Sequence, residues 1–337
     1  MTKNKDIAIL IPFRDEEKNL GVLLDDLDRL GFKNEFELIF INDHSSDHSL
    51  TVLKSHRLFS HLTILDLSTN QFGKKKALEF GVKSSRCAFF WSIDADVRLK
   101  KIRFEQLKKS LILDFDLLVL PVTMVDGIGL LRKIQILEWQ LLQTWTFLSL
   151  ASGYPLMANG ANLVFKKELF LEQNENRFGY LSGDDMNILH QAMISSSKIQ
   201  HLNLEATSVE IEGVNTWSEF FDQRWRWSGK IKNYPRSVMH IFVVLFSFWN
   251  LLFLLSEILV FYSLKFTIML IILAAIQVVF ISRNQRQVHG RFTPIAHFLF
   301  SFIYPFMSLF FFITSRFIHV KWKGRTLSLK YVSESGK

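Results

Sequence analysis

The chain changes character near Pro235, and no other feature restricts its folding as much. Before that point, short apolar runs alternate with segments of helical periodicity. After it come three long apolar stretches, 241–264, 266–281 and 295–318. A helix needs about 20 apolar residues to cross a hydrocarbon layer of about 30 Å. The first and third stretches supply that length and the middle one does not. The expectation is an α/β part over residues 1–235, a membrane region of two or three helices over 236–320, and a basic tail over 321–337. A helical hairpin with Lys265 at the far interface is the simplest path, and Pro305 would break or kink the third stretch.

The basic residues bear on orientation. With the first part in the cytoplasm, the Arg283, Arg286, Arg291 loop is also inside. Three full crossings would then put Arg316, Lys321, Lys323 and Arg325 outside. The expectation is therefore that the third segment does not cross, in a multi-pass protein of the inner membrane with its first part on the cytoplasmic face. A buried helix bundle in a soluble protein is the alternative.

Composition narrows the class. Of 337 residues 49% are apolar and 21% charged, so the chain can bury a core and is not a disordered tail. One cysteine, Cys87, excludes a disulfide framework and a multi-cysteine metal site. A net charge of +8 points to anionic partners, either phosphorylated ligands or an anionic membrane surface. Nucleic acid is not expected, because the basic residues flank apolar spans and form no groove interleaved with aromatics. Met1 to Lys5 run directly into a strand-like segment, with no secretory signal between.

In the first part, strands are expected at 7–12, 36–41, 62–67 and 88–93, with helices at 16–30, 49–56 and 74–83. Leu20, Leu23, Leu24, Leu27 and Leu30 share one helical face, and Gly31 is a stop signal. Strands alternating with helices predict a mainly parallel, doubly wound sheet, whose ligands bind beyond the carboxyl ends of its strands. The polar residues after Ile41 and Ile93 therefore share one neighbourhood, although about fifty residues separate them.

Four constellations can carry chemistry, and each has a plainer reading. Asn42-Asp43-His44-Ser45-Ser46-Asp47 can bind a ligand ring N–H, or simply cap the next helix. Asp94-Ala95-Asp96 can meet a divalent cation on phosphate oxygens, or be loop acids. Ser182-Gly183-Asp184-Asp185 can hold a general base, or favour a helix N-terminus. Gln223-Arg224-Trp225-Arg226-Trp227 suits a phosphate or sugar ring, or an interfacial helix over about 215–238. The 135–150 segment, rich in Leu and Trp, reads as interfacial or as core. His44, His48, His56 and His61 lack metal-ligand spacing.

Taken together and in order, these motifs resemble family 2 glycosyltransferases, whose catalytic domain has the GT-A fold. The opening Ile11-Pro12-Phe13-Arg14-Asp15-Glu16-Glu17 is similar to that family's first strand and loop. Asn42-Asp43 resembles its base-reading loop, and Gly73-Lys74 with Ala77-Leu78 its Gly-Lys-x-x-Ala-Leu segment. Gly160 to Phe165 resembles the strand beside its acceptor site. Asp184-Asp185 stands where the family usually has Glu-Asp. Gln223, Arg226 and Trp227 resemble the Gln-x-x-Arg-Trp motif of the membrane-bound branch, as does Trp322-Lys323-Gly324-Arg325.

The resemblance implies an α/β, GT-A, doubly wound nucleotide-sugar-binding domain followed by C-terminal membrane helices. It implies an inverting glycosyltransferase that moves a sugar from a nucleotide-diphosphate sugar, with a uridine-linked donor expected, to a hydroxyl of a lipid or glycan acceptor at the membrane. Pro12, Arg14, Glu16, Asp43, Lys74 and Asp94 would bind the nucleotide sugar, and Asp96 would anchor Mg²⁺ or Mn²⁺. Asp185, with Asp184 and Arg226, would be catalytic, and Gln223 and Trp227 would face the acceptor or diphosphate. A processive polysaccharide synthase subunit and a catalytically inactive membrane adaptor are the rival readings. Two departures stand out: Asp184 replaces Glu, and the N-terminal membrane helix of several lipid-glycosylating relatives is missing.

Overall fold

The computed structural model describes residues 7–172, 184–230, 239–289, 293–315, 317–318, 321–322 and 325–326, with backbone alone at 230, 239–247, 285–289 and the last four. Several residues singled out above lie outside it: Ser182, Gly183, Pro235, Arg291, Arg316, Lys323 and Gly324, with the side chains of Arg286, Lys321 and Arg325. The chain divides into two compact units. One comprises Met1–Thr123 and Met157–Glu212, the other Met124–Leu156 and Gly213–Lys337.

The first unit opens with β1 (Ile7–Phe13), α1 (Glu17–Arg29), β2 (Glu37–Asn42), α2 (Ser49–Ser55), β3 (Leu62–Asp66), α3 (Lys74–Ser84) and β4 (Phe89–Ile93). These match the expected elements to within a residue or two. Leu20, Leu23, Leu24 and Leu27 of α1 are fully buried, and Gly31 ends the helical segment at φ +68°. Only glycine takes that angle without steric cost. The unit continues with α4 (Phe104–Leu111), β5 (Leu117–Val119) and β6 (Val122–Met124). After the second unit's α5 (Leu130–Ala151) come β7 (Asn162–Lys166), α6 (Lys167–Leu171), α7 (Asp184–Ile194), β8 (Ile199–His201) and β9 (Val209–Ile211).

Seven strands form a mixed, Rossmann-like sheet in the order β3-β2-β1-β4-β7-β5-β8. The first four are parallel, as the alternation of elements predicts. Strand β7 runs antiparallel between β4 and β5, so the sheet is not parallel throughout. Register aligns Phe13 with Asn42, Asn42 with Asp66, and Ile93 with Asn162. The carboxyl ends of β1, β2, β3 and β4 and the start of β7 therefore share one edge.

Helix α3 lies against β1 and β2 with no space at Gly81: a Cβ there would sit 2.9 Å from Leu10 and 3.2 Å from Ile41. Overfilling a packed core costs about 1–3 kcal/mol. Gly81→Ala is accordingly expected to lower the thermal midpoint by several degrees, read by calorimetry, and an unchanged midpoint would contradict this packing.

The second unit consists of α5, α8 (Trp217–Lys230), α9 (Met239–Leu259), α10 (Leu264–His289), α11 (Pro294–Thr314) and a short pairing of β10 (Lys321–Trp322) with β11 (Arg325–Thr326). Leu141 of α5 packs with Ile281, Phe300 and Tyr304, which is the core alternative for this helix. Phe253, Leu270 and Ala274 form a second cluster.

Two stretches, Leu264–Asn284 and Pro294–Thr314, are long and apolar enough to cross a membrane, and α9 is itself 21 residues long with side chains described from Phe248 onward. This corrects one expectation. The middle stretch is long enough to cross, because its helix continues through Ser282-Arg283-Asn284 and beyond. The turn between α9 and α10 falls at 260–263, with Phe261 and Tyr262 exposed at its tip, and Lys265 already belongs to α10. Pro305 sits inside α11, which is one helix rather than a broken pair.

Candidate active site

The site grows from the loop after β1. Arg14 donates to the Asp43 carbonyl at 3.2 Å, and the Asp43 N–H donates to the Phe13 carbonyl at 2.9 Å. Asp15 takes a left-handed φ of +50° and accepts the Ser46 N–H at 2.7 Å. The N–H groups of Glu16 and Glu17 donate to Ser49 Oγ and to Asp47 Oδ2, at 2.8 and 2.9 Å. The Ser/Asp run thus caps α1 from across the sheet edge as well as bracing its own turn. Burial acts on Asp47 to raise its pKa, but the hydrogen bonds from Ser49 and Glu17 outweigh it and hold the carboxyl below its ordinary range. The Glu16 carboxylate accepts from Asn19, and Pro12 lies beside Ile41 in the β1–β2 pairing.

Asp43 is buried, with Oδ2 accepting the Gly73 N–H at 3.0 Å. Burial pushes its carboxyl above the usual range, against the opposing pull of that hydrogen bond and of Arg14. Gly73 has φ +90°, an angle that lets the chain bring its amide onto Asp43 before α3 starts. His44, also left-handed at φ +57°, packs on Phe72 with ring centroids 4.8 Å apart.

At the next strand end, Lys74 Nζ lies 2.5 Å from Asp94 Oδ1, 3.7 Å from Asp184 Oδ2 and 3.3 Å from the Gly160 carbonyl. Burial disfavours this ammonium, but Asp94 and Asp184 outweigh it and hold it protonated well above the ordinary lysine range. Ser92 Oγ donates to the same Gly160 carbonyl at 3.0 Å. The Gly160 N–H donates to Asp185 Oδ2 at 3.3 Å, and the Met186 N–H to Asp185 Oδ1 at 2.9 Å. Asp96 is exposed in the turn after Asp94.

Asp43, Lys74, Asp94, Asp184 and Asp185 therefore line one sheet edge, although up to 142 positions separate them in sequence. Asn162, covered above only by the resemblance of Gly160 to Phe165, is given no role of its own there. It is fully buried, accepts the Trp91 indole N–H at 2.9 Å and donates to the carbonyls of Pro121 and Thr207. Its only sequence signal was an amide opening an apolar run.

Gln223, Arg226 and Trp227 lie on α8 in the second unit. There the neighbouring Arg224 is the buried one, donating to Glu138 at 2.8 and 2.5 Å. Its guanidinium lies over the rings of Phe220 and Trp227, at 4.2 and 4.5 Å.

Among the described residues, no three His, Cys, Asp or Glu side chains could hold a metal ion by themselves. The donor set, Asp94 engaged by Lys74 and Asp96 exposed beside it, fits a hard cation that also takes oxygens from a bound diphosphate. It does not fit a resident ion in a closed protein cage.

Residues 8–167 match the family model described as Glycosyl transferase family 2. Poly(ribitol-phosphate) beta-N-acetylglucosaminyltransferase TarS of Staphylococcus aureus, strains Mu50 and MW2, is 28% identical over 95 residues. That stretch spans 28% of this chain and 17% of the relative's length. A crystal structure of S. aureus TarS 1-349 with UDP-GlcNAc aligns over 97% of each chain, at 17% identity and a TM-score of 0.46. Glucosyl-3-phosphoglycerate synthase from Mycobacterium tuberculosis, with Mn²⁺, UDP and glucosyl-3-phosphoglycerate, aligns over 69% of this chain and 82% of its own. Its identity is 14% and its TM-score 0.46. Residues 8–167 are thus similar to a glycosyl transferase family 2 domain, and part of that stretch to a known transferase.

Proposed function

We propose that the protein is an inverting glycosyltransferase, moving a sugar from a uridine-linked nucleotide-diphosphate sugar to a hydroxyl of an acceptor held at the membrane. The observation that carries this is the single ammonium of Lys74 set among Asp94, Asp184 and the neighbouring Asp185, beside a stretch similar to a family 2 domain. Residues 1–235 supply the chemistry, 236–320 the membrane region and 321–337 a basic tail. The first part faces the cytoplasm of an inner-membrane, multi-pass protein.

In this reading Asp43 binds the base, with Pro12, Arg14 and Glu16 shaping the loop around it. Lys74 and Asp94 hold the diphosphate sugar, and Asp96 is the anchor for Mg²⁺ or Mn²⁺. When bound, such an ion supplies Lewis-acid neutralisation of diphosphate charge. Asp185 takes the proton of the acceptor hydroxyl. The new bond forms between that oxygen and the anomeric carbon as the bond from that carbon to the phosphate oxygen breaks. The electron pair leaves with the nucleoside diphosphate. Asp184 lies beside the base, 3.7 Å from the Lys74 ammonium. Gln223, Arg226 and Trp227 serve the diphosphate and acceptor.

A second reading concerns the acceptor alone. The relative's name specifies poly(ribitol-phosphate), which favours an anionic polymer over a lipid for a chain of net charge +8.

The test is nucleotide release by detergent-solubilised protein with Mn²⁺ or Mg²⁺ and a panel of UDP- and GDP-sugars. Arms with a lipid extract, with poly(ribitol phosphate) and with neither name the acceptor. Metal-dependent release is the expected result, and no turnover in any arm would overturn the proposal. Asp96→Ala is expected to raise the metal concentration needed for half-maximal rate by about 10-fold or more, the equivalent of losing one charged ligand. A normal metal titration would remove Asp96 from this role.

A further inference from the structure

We infer that Ser92 and Gly160 are positioning residues that set the geometry of Asp185 through a chain of hydrogen bonds running from β4 to α7. This rests on the function proposed above and adds residues to it. Ser92 is 1% exposed, near the carboxyl end of β4, and its hydroxyl has the Gly160 carbonyl at 3.0 Å. The Lys74 ammonium reaches the same carbonyl from α3 at 3.3 Å. Held at its carbonyl from two sides, residue 160 directs its own N–H to Asp185 Oδ2 at 3.3 Å. The Asn159 side chain braces the same turn by accepting the Ala161 N–H at 3.0 Å.

Space at this point is as specific as the hydrogen bonds. A Cβ on residue 160 would lie 3.0 Å from Lys74 Nζ, 3.4 Å from Asp184 Oδ2 and 3.4 Å from Asp185 Cβ. It would press on the ammonium, with both acids at ordinary van der Waals distance. Glycine is favoured here by close approach to Lys74 rather than by a backbone angle. The residue thus couples the side that holds the diphosphate, Lys74 and Asp94, to the side that takes the proton. Losing the Ser92 hydroxyl leaves one donor on the carbonyl and lets the turn relax, with the N–H and Asp185 drifting together.

The experiment uses the full chain. Ser92→Ala is expected to lower kcat by about 5- to 20-fold, the worth of one buried hydrogen bond, with donor KM within about 2-fold. Gly160→Ala is expected to cost more, because it displaces Lys74 as well. In an Asp185→Asn background, Ser92→Ala should cost less than about 2-fold, since residues acting through one another are not additive. A purely structural role would instead give equal losses in both backgrounds or a rise in donor KM, and either would overturn the inference.

A second readout needs no turnover. Hydrogen exchange of the segment 157–162, followed by mass spectrometry, should speed up about 10-fold in Ser92→Ala and in Asp185→Ala alike. Unchanged exchange in both would overturn the linkage. A parent enzyme silent with every donor would defeat the catalytic reading. The exchange result would then still decide whether Ser92, Gly160 and Asp185 are linked.

Discussion

Replacing Asp185 with asparagine is expected to lower kcat by about 10²- to 10⁴-fold, the usual contribution of a positioned general base. UDP binding should stay within about 3-fold, because the acid's hydrogen-bond partners, Gly160 and Met186, are not the groups that would hold the nucleotide. The choice between the two adjacent acids follows from their surroundings. The Asp184 side chain is 8% exposed and lies 3.7 Å from Lys74, so its charge is already committed. Asp185 is less buried, and both of its oxygens accept backbone N–H groups, which orient it.

Asparagine keeps the shape of the side chain but turns an NH₂ towards one of those two amides. A stability loss of about 1 kcal/mol from the unmatched donor is therefore expected alongside the kinetic effect. Steady-state rates with saturating donor, together with calorimetric UDP titration, check both statements. Normal turnover would sink the base assignment, and lost UDP binding would show that Asp185 belongs to the donor site instead.

Lys74→Ala is the second large effect. This ammonium is the cation shared by Asp94 and Asp184, so its removal leaves like charges facing one another across the strand ends. Truncating one partner of a fully buried pair costs about 3–5 kcal/mol. The Lys74 side chain is 24% exposed, so about 1–3 kcal/mol of stability is the better expectation here. The larger consequence is for the donor. With the cation gone, kcat/KM for the nucleotide sugar should fall about 10²-fold, because a diphosphate would meet carboxylates alone. Lys74→Arg should restore stability better than rate, since a planar fork does not reproduce a compact ammonium between two acids. A variant that kept its kcat/KM would mean that Lys74 braces the loop and does not serve the donor.

How much of this was legible in the sequence depends on distance along the chain. Strands β1 to β4 and helices α1 to α3 show because their signals are local: apolar runs, leucines recurring on one face, and glycines at positive φ. Asp43 and Asp94 show because each follows a strand, so a parallel sheet gathers them at one edge, whereas Asp184 and Asp185 open α7. Strand β7 carries an apolar run but nothing that fixes its direction, and its antiparallel place between β4 and β5 comes from pairing partners 73 positions apart at the Trp91–Val164 rung. Ser92 and Gly160, 68 positions apart, meet for the same reason. Arg224 and Glu138 were invisible as a pair, since nothing in either neighbourhood names a partner 86 positions away. The hairpin of α9 and α10 was legible because Lys265, a charge between two apolar runs, lies beside the 260–263 turn.

The discontinuity of the first unit has a consequence for synthesis. Its sheet is laid down in two instalments, Met1–Thr123 and Met157–Glu212, with Met124–Leu156 made in between. Strand β4 sits at an open edge until β7 is translated, because β7 is its neighbour on that side. A nascent chain stopped before residue 157 therefore presents an unpaired strand edge, the kind of surface that draws other chains. The ribosome must deliver an entire hydrophobic helix, α5, before the strand that closes this edge leaves the exit tunnel. Pausing within that window, rather than at either end of the chain, is where a cell making this protein stands to lose it to aggregation.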